Sequence, residues 1–285
     1  MKMNERKNKQ NRLKVLRTHD PKSLFTYDNF TPEEILDRLG RPRYLLSSSS
    51  KVEKSQTRRV LSRILYLTSG LYCPNASPGC LSTCLGFTSG RMGSDQATSA
   101  RDRRSALYAA DNDAFMALLR QDLHQLCYDA ETQGMLPVVR LNGTGDLAWE
   151  KRHPNVFREF PNVQFYDYTK HPGRMKKFLS GRLDGEPWPG NYDLTFSAHE
   201  LNIHWITPLL ELSGNVAVVF WPELPKTWLG YRVIDGDKDD LRYLDPSPAI
   251  VGLRAKGVAR EDLSGFVVRT DWPTAGLMLN RTNAA

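Results

Sequence analysis

The segment Ile64-Leu-Tyr-Leu-Thr68, followed closely by Cys73-Pro-Asn-Ala-Ser-Pro-Gly-Cys80-Leu-Ser-Thr-Cys84, decides how this chain is read. Its first part is a short apolar run bounded by turn residues, the pattern of a buried strand. Its second part puts three of the chain's four cysteines on the loop that follows. An odd set of clustered thiols cannot all pair as disulfides, and Cys127 lies far away in sequence. Three thiolates at a strand end suit a metal or an iron–sulfur cluster better than a disulfide framework.

Working outward, the chain alternates between strand and helix patterns. Strands are expected at 64–68, 136–141, 163–168, 192–197, 215–220 and 250–254. Between them lie helical stretches at 96–110, 111–133, 155–160, 174–179 and 201–212. The second of these has Asp111 as its N-cap, Phe115, Leu118, Leu119, Leu123 and Leu126 at helical spacing, and Gly134 at its stop. Upstream, Thr31-Pro-Glu-Glu34 is a capping box that starts a helix from Pro32 to Leu39. Ser47–Ser50 reads as a linker, and 51–59 as a connecting helix or a loop. Strands separated by helices predict an α/β fold with a parallel sheet, a partial or TIM-like (β/α) barrel. Sequence neighbours are expected to lie side by side. The division expected is a basic disordered arm plus short helix at 1–50, the barrel-like domain at 51–270 and a tail at 271–285.

Composition is that of an ordinary globular chain of 285 residues, 40% hydrophobic and 25% charged. No apolar run reaches the length of a membrane span, and the N-terminus lacks a signal peptide's apolar core. The cytoplasm, with its reduced thiols, is the expected compartment. The formal net charge is +7. Much of it is local, at Lys2, Arg6, Lys7, Lys9, Arg12, Lys14 and Arg17, with a second run at Lys51, Lys54, Arg58, Arg59 and Arg63. Residues 1–17 are therefore a nucleic-acid-binding arm or a solubilising tail. They hold no aromatic residue on which a base could stack.

In a parallel sheet the C-terminal strand ends share one rim. At those ends stand the cysteine loop, Asn142-Gly-Thr-Gly-Asp146, then Asp167, Thr169, Lys170 and His171, then Ser197, His199 and Glu200, then Arg254 and Lys256. That convergence favours an active site over scattered surface residues. A structural zinc site takes four ligands, commonly in close pairs. Here the spacing is C-x6-C-x3-C, with no fourth ligand nearby. Three thiolates leave one position open, which suits a [4Fe–4S] cluster with a ligand on its unique iron; zinc and no metal are the alternatives. Cys127 reads as a buried core thiol. Plainer readings stand beside these. Gly143 and Gly145 can serve only a tight turn, Asp146 a cap, His171 a solvated loop and His199 a helix start. Lys170 ends an apolar strand, where a cation is aimed at a carboxylate, phosphate or bound anion. Asp235–Asp240 resembles a calcium loop, but Pro246 stands in place of the closing Glu, so a solvated turn is expected.

Strand, three-cysteine loop, helix, strand and Gly-rich turn with a carboxylate together resemble the start of a radical S-adenosylmethionine enzyme. The resemblance implies that Cys73, Cys80 and Cys84 hold [4Fe–4S]. It further implies that Asn142, Gly143, Thr144, Gly145 and Asp146 seat S-adenosylmethionine, and that Asp167 or Lys170 orients a substrate. The usual spacing there is C-x3-C-x2-C, and Glu stands where this chain has Asp146. The chain more closely resembles the phage and bacterial gene-product-eighty-eight family. The shared features are the Cys-Pro…Cys-x3-Cys loop, the Arg-x4-Gly-Asp turn from Arg140 to Asp146 and the Phe-Tyr-x-Tyr-Thr-Lys strand from Phe165 to Lys170. This implies a phage-type origin, hence the host cytoplasm, and names no reaction. The expected functions are a radical S-adenosylmethionine-like enzyme, or a cluster-binding redox or structural module that contacts nucleic acid through the basic arm. A nucleic-acid processing factor without a cluster is the weakest reading, because no convincing set of carboxylates is present.

Overall fold

The computed structural model describes residues 30–48, 58–90 and 92–271. The basic run at 1–17, half of the serine linker, residues 51–57 and nearly all of the C-terminal tail lie outside them. The chain forms two compact units. One comprises Met1–Pro74 with Cys84–Phe165, and the other Asn75–Thr83 with Tyr166–Ala285.

The first unit begins with α1 (Pro32–Leu39). Thr31 accepts from the Glu34 amide at 3.3 Å and Glu34 from the Thr31 amide at 2.7 Å, completing the expected capping box. Strand β1 (Leu46–Ser47) runs antiparallel to β2 (Val60–Leu65). Helix α2 (Pro78–Ser82) belongs to the second unit, and α3 (Leu85–Thr88) returns the chain to the first. Two long helices follow, α4 (Asp95–Ala110) and α5 (Asn112–Thr132). Asp111 caps α5 by accepting from the Ala114 amide at 3.0 Å, and Gly134 ends it with φ +61°. The buried face of α5 is Phe115, Met116, Leu119, Leu123, Leu126 and Ala130, the stripe its periodicity predicts. Strand β3 (Leu136–Arg140) pairs parallel with β2, from Val60 opposite Leu136 to Ile64 opposite Arg140. Short helices α6 (Trp149–Arg152) and α7 (Asn155–Glu159) then lead to β4 (Gln164–Thr169), whose first residues pair parallel with β3.

The second unit continues with α8 (Pro172–Leu179), the small hairpin β5 (Arg182–Leu183) and β6 (Glu186–Pro187), then β7 (Tyr192–Ser197) and α9 (Ile206–Glu211). Strands β7, β8 (Val216–Trp221) and β11 (Ile250–Arg254) are parallel neighbours in that order. β8 and most of β11 are near-continuous apolar runs, as expected where both faces of a sheet are covered, whereas β7 alternates apolar with polar residues. Between β8 and β11 the chain forms an antiparallel hairpin, β9 (Thr227–Trp228) with β10 (Tyr231–Asp235). Strand β10 then pairs parallel with the far edge of β11. One edge of β8 is shared. β7 covers Val216 and Ala217, and β12 (Val267–Arg269) covers Val219 to Trp221.

The largely parallel α/β architecture agrees with the sequence; the barrel does not follow. Among the described residues neither set of pairings closes on itself. In each unit a two-residue antiparallel strand, β1 or β9, stands beyond the parallel ladders, where closure would require another parallel strand. The first strand lies at 60–65, not 64–68. The pairing with β3 starts at Val60, and the chain leaves the ladder after Leu65. Residues 221–249, to which the sequence assigns no strand or helix, hold β9 and β10. Their turn uses Leu229 (φ +52°) and Gly230 (φ +80°), so the first left-handed position carries Leu rather than the usual Asn, Asp or Gly. Within each unit the expected strands lie side by side in sequence order, β2 with β3 and β4, and β7 with β8 and β11; only the unexpected hairpin departs from that order, because β11 sits between β8 and β10.

Packing of α5 sets a direct test. Leu119 is fully enclosed and Leu118 only half-buried. Leu119→Ala is expected to cost about 2–5 kcal/mol in denaturant unfolding, and Leu118→Ala clearly less.

Candidate functional site

In the first unit, the chain beyond Leu65 has left the β ladder and must find other hydrogen-bond partners. Two elements supply them. Helix α4 presents Ser105 Oγ to the Thr68 amide at 2.7 Å and Asp102 Oδ1 to the Thr68 hydroxyl at 2.9 Å. The turn after β3 supplies the rest. The Gly143 amide donates to Leu65 O at 2.9 Å, the Thr144 hydroxyl donates to Leu67 O, and the Asp146 amide donates to Tyr72 O at 2.7 Å. Cys73 Sγ donates to Thr144 O at 3.3 Å. The entry to the cysteine segment, through Tyr72 and Cys73, and the Asn142–Asp146 turn are thus one hydrogen-bonded structure. Gly143 is required by the close approach. A Cβ there would lie 2.5 Å from Ile64 Cγ2 and 2.7 Å from Leu65 O.

Asn142, almost wholly buried, spends its amide inside that turn. Its Oδ1 accepts from the Leu147 amide at 2.9 Å and from Trp149 Nε1 at 3.3 Å, and its Nδ2 donates to Leu147 O at 3.0 Å. Tyr72, next to Cys73, packs edge-on against Tyr108, with ring centroids 5.4 Å apart, and donates to Ser105 O at 3.3 Å. Burial, reinforced by Tyr108 and opposed by Arg152, pushes its phenol up to about 12, so it stays neutral.

Cys84 begins α3, its carbonyl accepting from the Phe87 and Thr88 amides. Beneath this turn lies Arg101 of α4, 2% exposed, donating to Gly86 O at 2.9 Å and Met92 O at 2.8 Å. Arg101, Asp102 and Arg104 are all buried, and sequence reasoning missed them. Charged residues on a helix read as a solvated face, and nothing local marks the carbonyls that bind them.

In the second unit, Cys80 lies on α2. Ser77 caps that helix by accepting from the Cys80 amide at 3.1 Å. Glu200 holds the turn. Its carboxylate accepts from the Ser77 hydroxyl at 2.7 Å and from the Gly79 amide at 2.7 Å. His199 holds its start. The ring hydrogen-bonds the Asn75 backbone, while Nδ1 accepts from the Leu201 amide at 3.2 Å. Burial, with the nearby Lys170 charge adding to it, pushes this imidazole down to about 4; the Asn75 hydrogen bond opposes that. Asn202, unremarked in the sequence, ties these strand ends together. It accepts from the His199 amide at 2.7 Å and donates to Lys170 O and Ser197 O, each at 3.2 Å.

Asp167 is fully buried and accepts from the Tyr192 hydroxyl at 2.7 Å, which itself accepts from Arg174 at 2.6 Å. His171 is no loop residue. It is the N-cap of α8, its Nδ1 accepting from the Arg174 amide at 3.1 Å. Arg254 and Lys256 face the acidic turn. Arg254 pairs with Asp235 at 3.0 Å and Lys256 with Asp237 at 2.6 Å. Cys127, expected in the core, is half-buried on α5, where burial pushes its thiol up.

All four cysteines are free thiols. Among the described residues, no three His, Cys, Asp or Glu side chains are grouped so as to hold a metal ion. The donor set, reduced thiols, has the right chemistry for iron; beside Cys84, Gly86 packs directly on Ser69, and a Cβ there would lie 1.9 Å from Ser69 Oγ. No described helix is long and apolar enough to cross a membrane.

A family model described as Gene product 88 matches residues 43–270. No curated protein and no solved structure matches the chain.

The Glu200 clamp and the His199 ring make two separate tests. Glu200→Ala leaves the Ser77 hydroxyl and Gly79 amide without their acceptor, at an expected cost of about 1–3 kcal/mol. Hydrogen exchange at 75–83 should rise first. Below the ordinary histidine value of 6.5, the unfolded chain takes up a proton that folded His199 refuses until about 4. Stability to denaturant should therefore fall as pH drops from 6.5 to 4, and His199→Asn should flatten that fall.

Proposed function

The chain belongs to the gene product 88 family, and we propose that it is an iron–sulfur protein in which Cys73, Cys80 and Cys84 ligate a [4Fe–4S] cluster with one iron open to a further ligand. The observation that carries this reading is the hydrogen-bonded join between the cysteine segment and the Gly-rich turn, Cys73 Sγ to Thr144 O. Cys73, a reduced thiol beyond a strand end, is held against a turn that carries a carboxylate, Asp146. The thiols are not pre-assembled into a metal site, so ligation is coupled to closure of the segment around the cluster, as is common for protein metal centres.

Such a cluster, when bound, supplies one-electron reduction to a ligand at its open iron. The rest falls to the chain. Arg101 places a buried positive charge beneath the Cys84 turn, where thiolate and cluster charge must be balanced. Tyr72 stays protonated and adds no negative charge beside Cys73. Glu200 and Ser77 fix the turn that carries Cys80. Asp146 and the turn backbone would receive the polar end of S-adenosylmethionine, and Lys170, half-buried where Asp167 is enclosed, would orient an anionic substrate. The chain would act in the cytoplasm of its host.

A cluster-binding module without radical chemistry is the second reading, and Asn142 favours it. Its amide hydrogen-bonds the Leu147 backbone and the Trp149 indole and so braces the chain just after the turn, whereas a cofactor-binding turn would aim such a group at a ligand.

Anaerobic reconstitution with iron and sulfide decides the first point. About four irons and four sulfides per chain are expected. Cys73→Ala, Cys80→Ala and Cys84→Ala should each lose the cluster, and Cys127→Ala should keep it. A colourless chain holding zinc alone would overturn the proposal. Adding S-adenosylmethionine and reductant then separates the readings, because only the enzyme releases 5′-deoxyadenosine.

A further inference from the structure

Between α1 and β1 the chain runs Gly40-Arg-Pro-Arg-Tyr44, and from Arg38 to Ser48 it holds no acidic residue. Charged side chains of α4 and α5 fix this loop. Arg103 donates to Leu39 O at 3.3 Å, and Arg104 donates to Tyr44 O at 3.4 Å and to Ser47 Oγ at 2.9 Å. Asp122 accepts from the Leu45 and Leu46 amides at 2.6 and 2.8 Å. Leu45 and Leu46 are buried, and the Tyr44 ring beside them stays outside, 58% exposed.

An exposed ring on a fixed backbone buries little within the fold, but it offers a flat face on which a base can stack at small entropic cost. Cations surround it. Arg43 is exposed and forms no ion pair among the described residues. Arg41 meets Asp111 at 3.1 Å and keeps its side chain 60% exposed. Arg38, also exposed, lies over the Phe30 ring at 3.7 Å, and the Arg104 guanidinium is 5.7 Å from the Tyr44 centroid. Against them stand Asp111, Asp122, whose carboxylate is engaged with two amides, and on α1 Asp37 with Glu33 and Glu34, the last two in the first turn, away from the loop. One ring among guanidinium groups, with the neighbouring leucines enclosed, suits bases and phosphates better than a lipid surface or an apolar peptide. Residues 1–17 carry cations without an aromatic ring, and the loop supplies the ring they lack.

We propose that the Arg38–Tyr44 surface binds single-stranded nucleic acid, with a base stacked on Tyr44 and phosphates met by Arg41 and Arg43. A duplex keeps its bases stacked on one another and offers no free face to the ring. This partner is independent of the iron–sulfur reading.

The test titrates the full chain into a fluorescent oligothymidylate strand of about 20 nucleotides, longer than the usual site on such surfaces, and follows anisotropy. Wild type should bind it more tightly than a duplex of the same length, and more tightly than vesicles containing phosphatidylserine. Tyr44→Ala should weaken binding about tenfold, and Tyr44→Phe should not. Arg43→Ala should reduce the slope of log affinity against log salt by about 0.7. Tyr128→Ala, which removes a ring of similar exposure from α5, should change nothing. A wild-type chain that ignores the strand, a Tyr44→Ala chain that binds as wild type does, an equal loss in Tyr128→Ala, or a preference for duplex or vesicles would each overturn the inference and leave the iron–sulfur reading untouched. Should Tyr44→Ala not fold, Tyr44→Leu, apolar but not aromatic, carries the same comparison.

Discussion

After Leu65 the chain leaves the parallel ladder that β2 forms with β3, and every backbone group beyond that point must be satisfied by something else. This constraint organises the first unit. Thr68 is met by Asp102 and Ser105 of α4, and Leu65, Leu67 and Tyr72 are met by the turn after β3. Asp102 and Ser105 of α4 are buried because they face this unpaired stretch, whereas Arg101 reaches the carbonyls of Gly86 and Met92. The close fit of Gly143 follows, since the turn can reach Leu65 O only if nothing projects between them. Cys73 is placed by the same contacts that satisfy the peeled strand.

The second unit solves a comparable problem for the turn that carries Cys80. A helix of five residues has few internal hydrogen bonds, so its position depends on side chains that reach it. Ser77 and Glu200 form a short chain of acceptors ending on a carboxylate, and His199 holds the segment's start as a neutral ring. Neutrality matters there, because a charged imidazole would sit buried beside Lys170. Asn202 extends the arrangement by joining the ends of β4 and β7. Asp167, Tyr192 and Arg174 form a separate enclosed relay, whose charges are matched within the fold.

Some elements were legible because their signals are local. The Thr31–Glu34 box, the Asp111 cap with its apolar stripe and the β4, β7, β8 and β11 runs each announce themselves within a few residues. The β9–β10 hairpin did not, because Leu229 occupies a left-handed position that sequence reading assigns to Asn, Asp or Gly. The first strand was misplaced because Tyr66 to Thr68 are residue types as common in strands as Ile64 and Leu65; only the pairing partner tells where a ladder ends. The site divides in the same way. Cysteines and the Gly-rich turn were visible as residue types, whereas Glu200 as a clamp, Asn202 as a tie and Arg101 as a buried cation depend on partners remote in sequence.

The sequence by itself determined the α/β alternation, the three thiols clustered in one segment and the Gly-rich turn that meets the first of them, because periodicity, caps and residue chemistry are properties of neighbours along the chain. Tertiary structure alone decided that the sheets stay open, where the first ladder stops, and which charged and polar side chains are buried against the cysteine segment. Those outcomes follow from which backbone groups lack a partner once the strands have paired, and that is known only when distant segments have met.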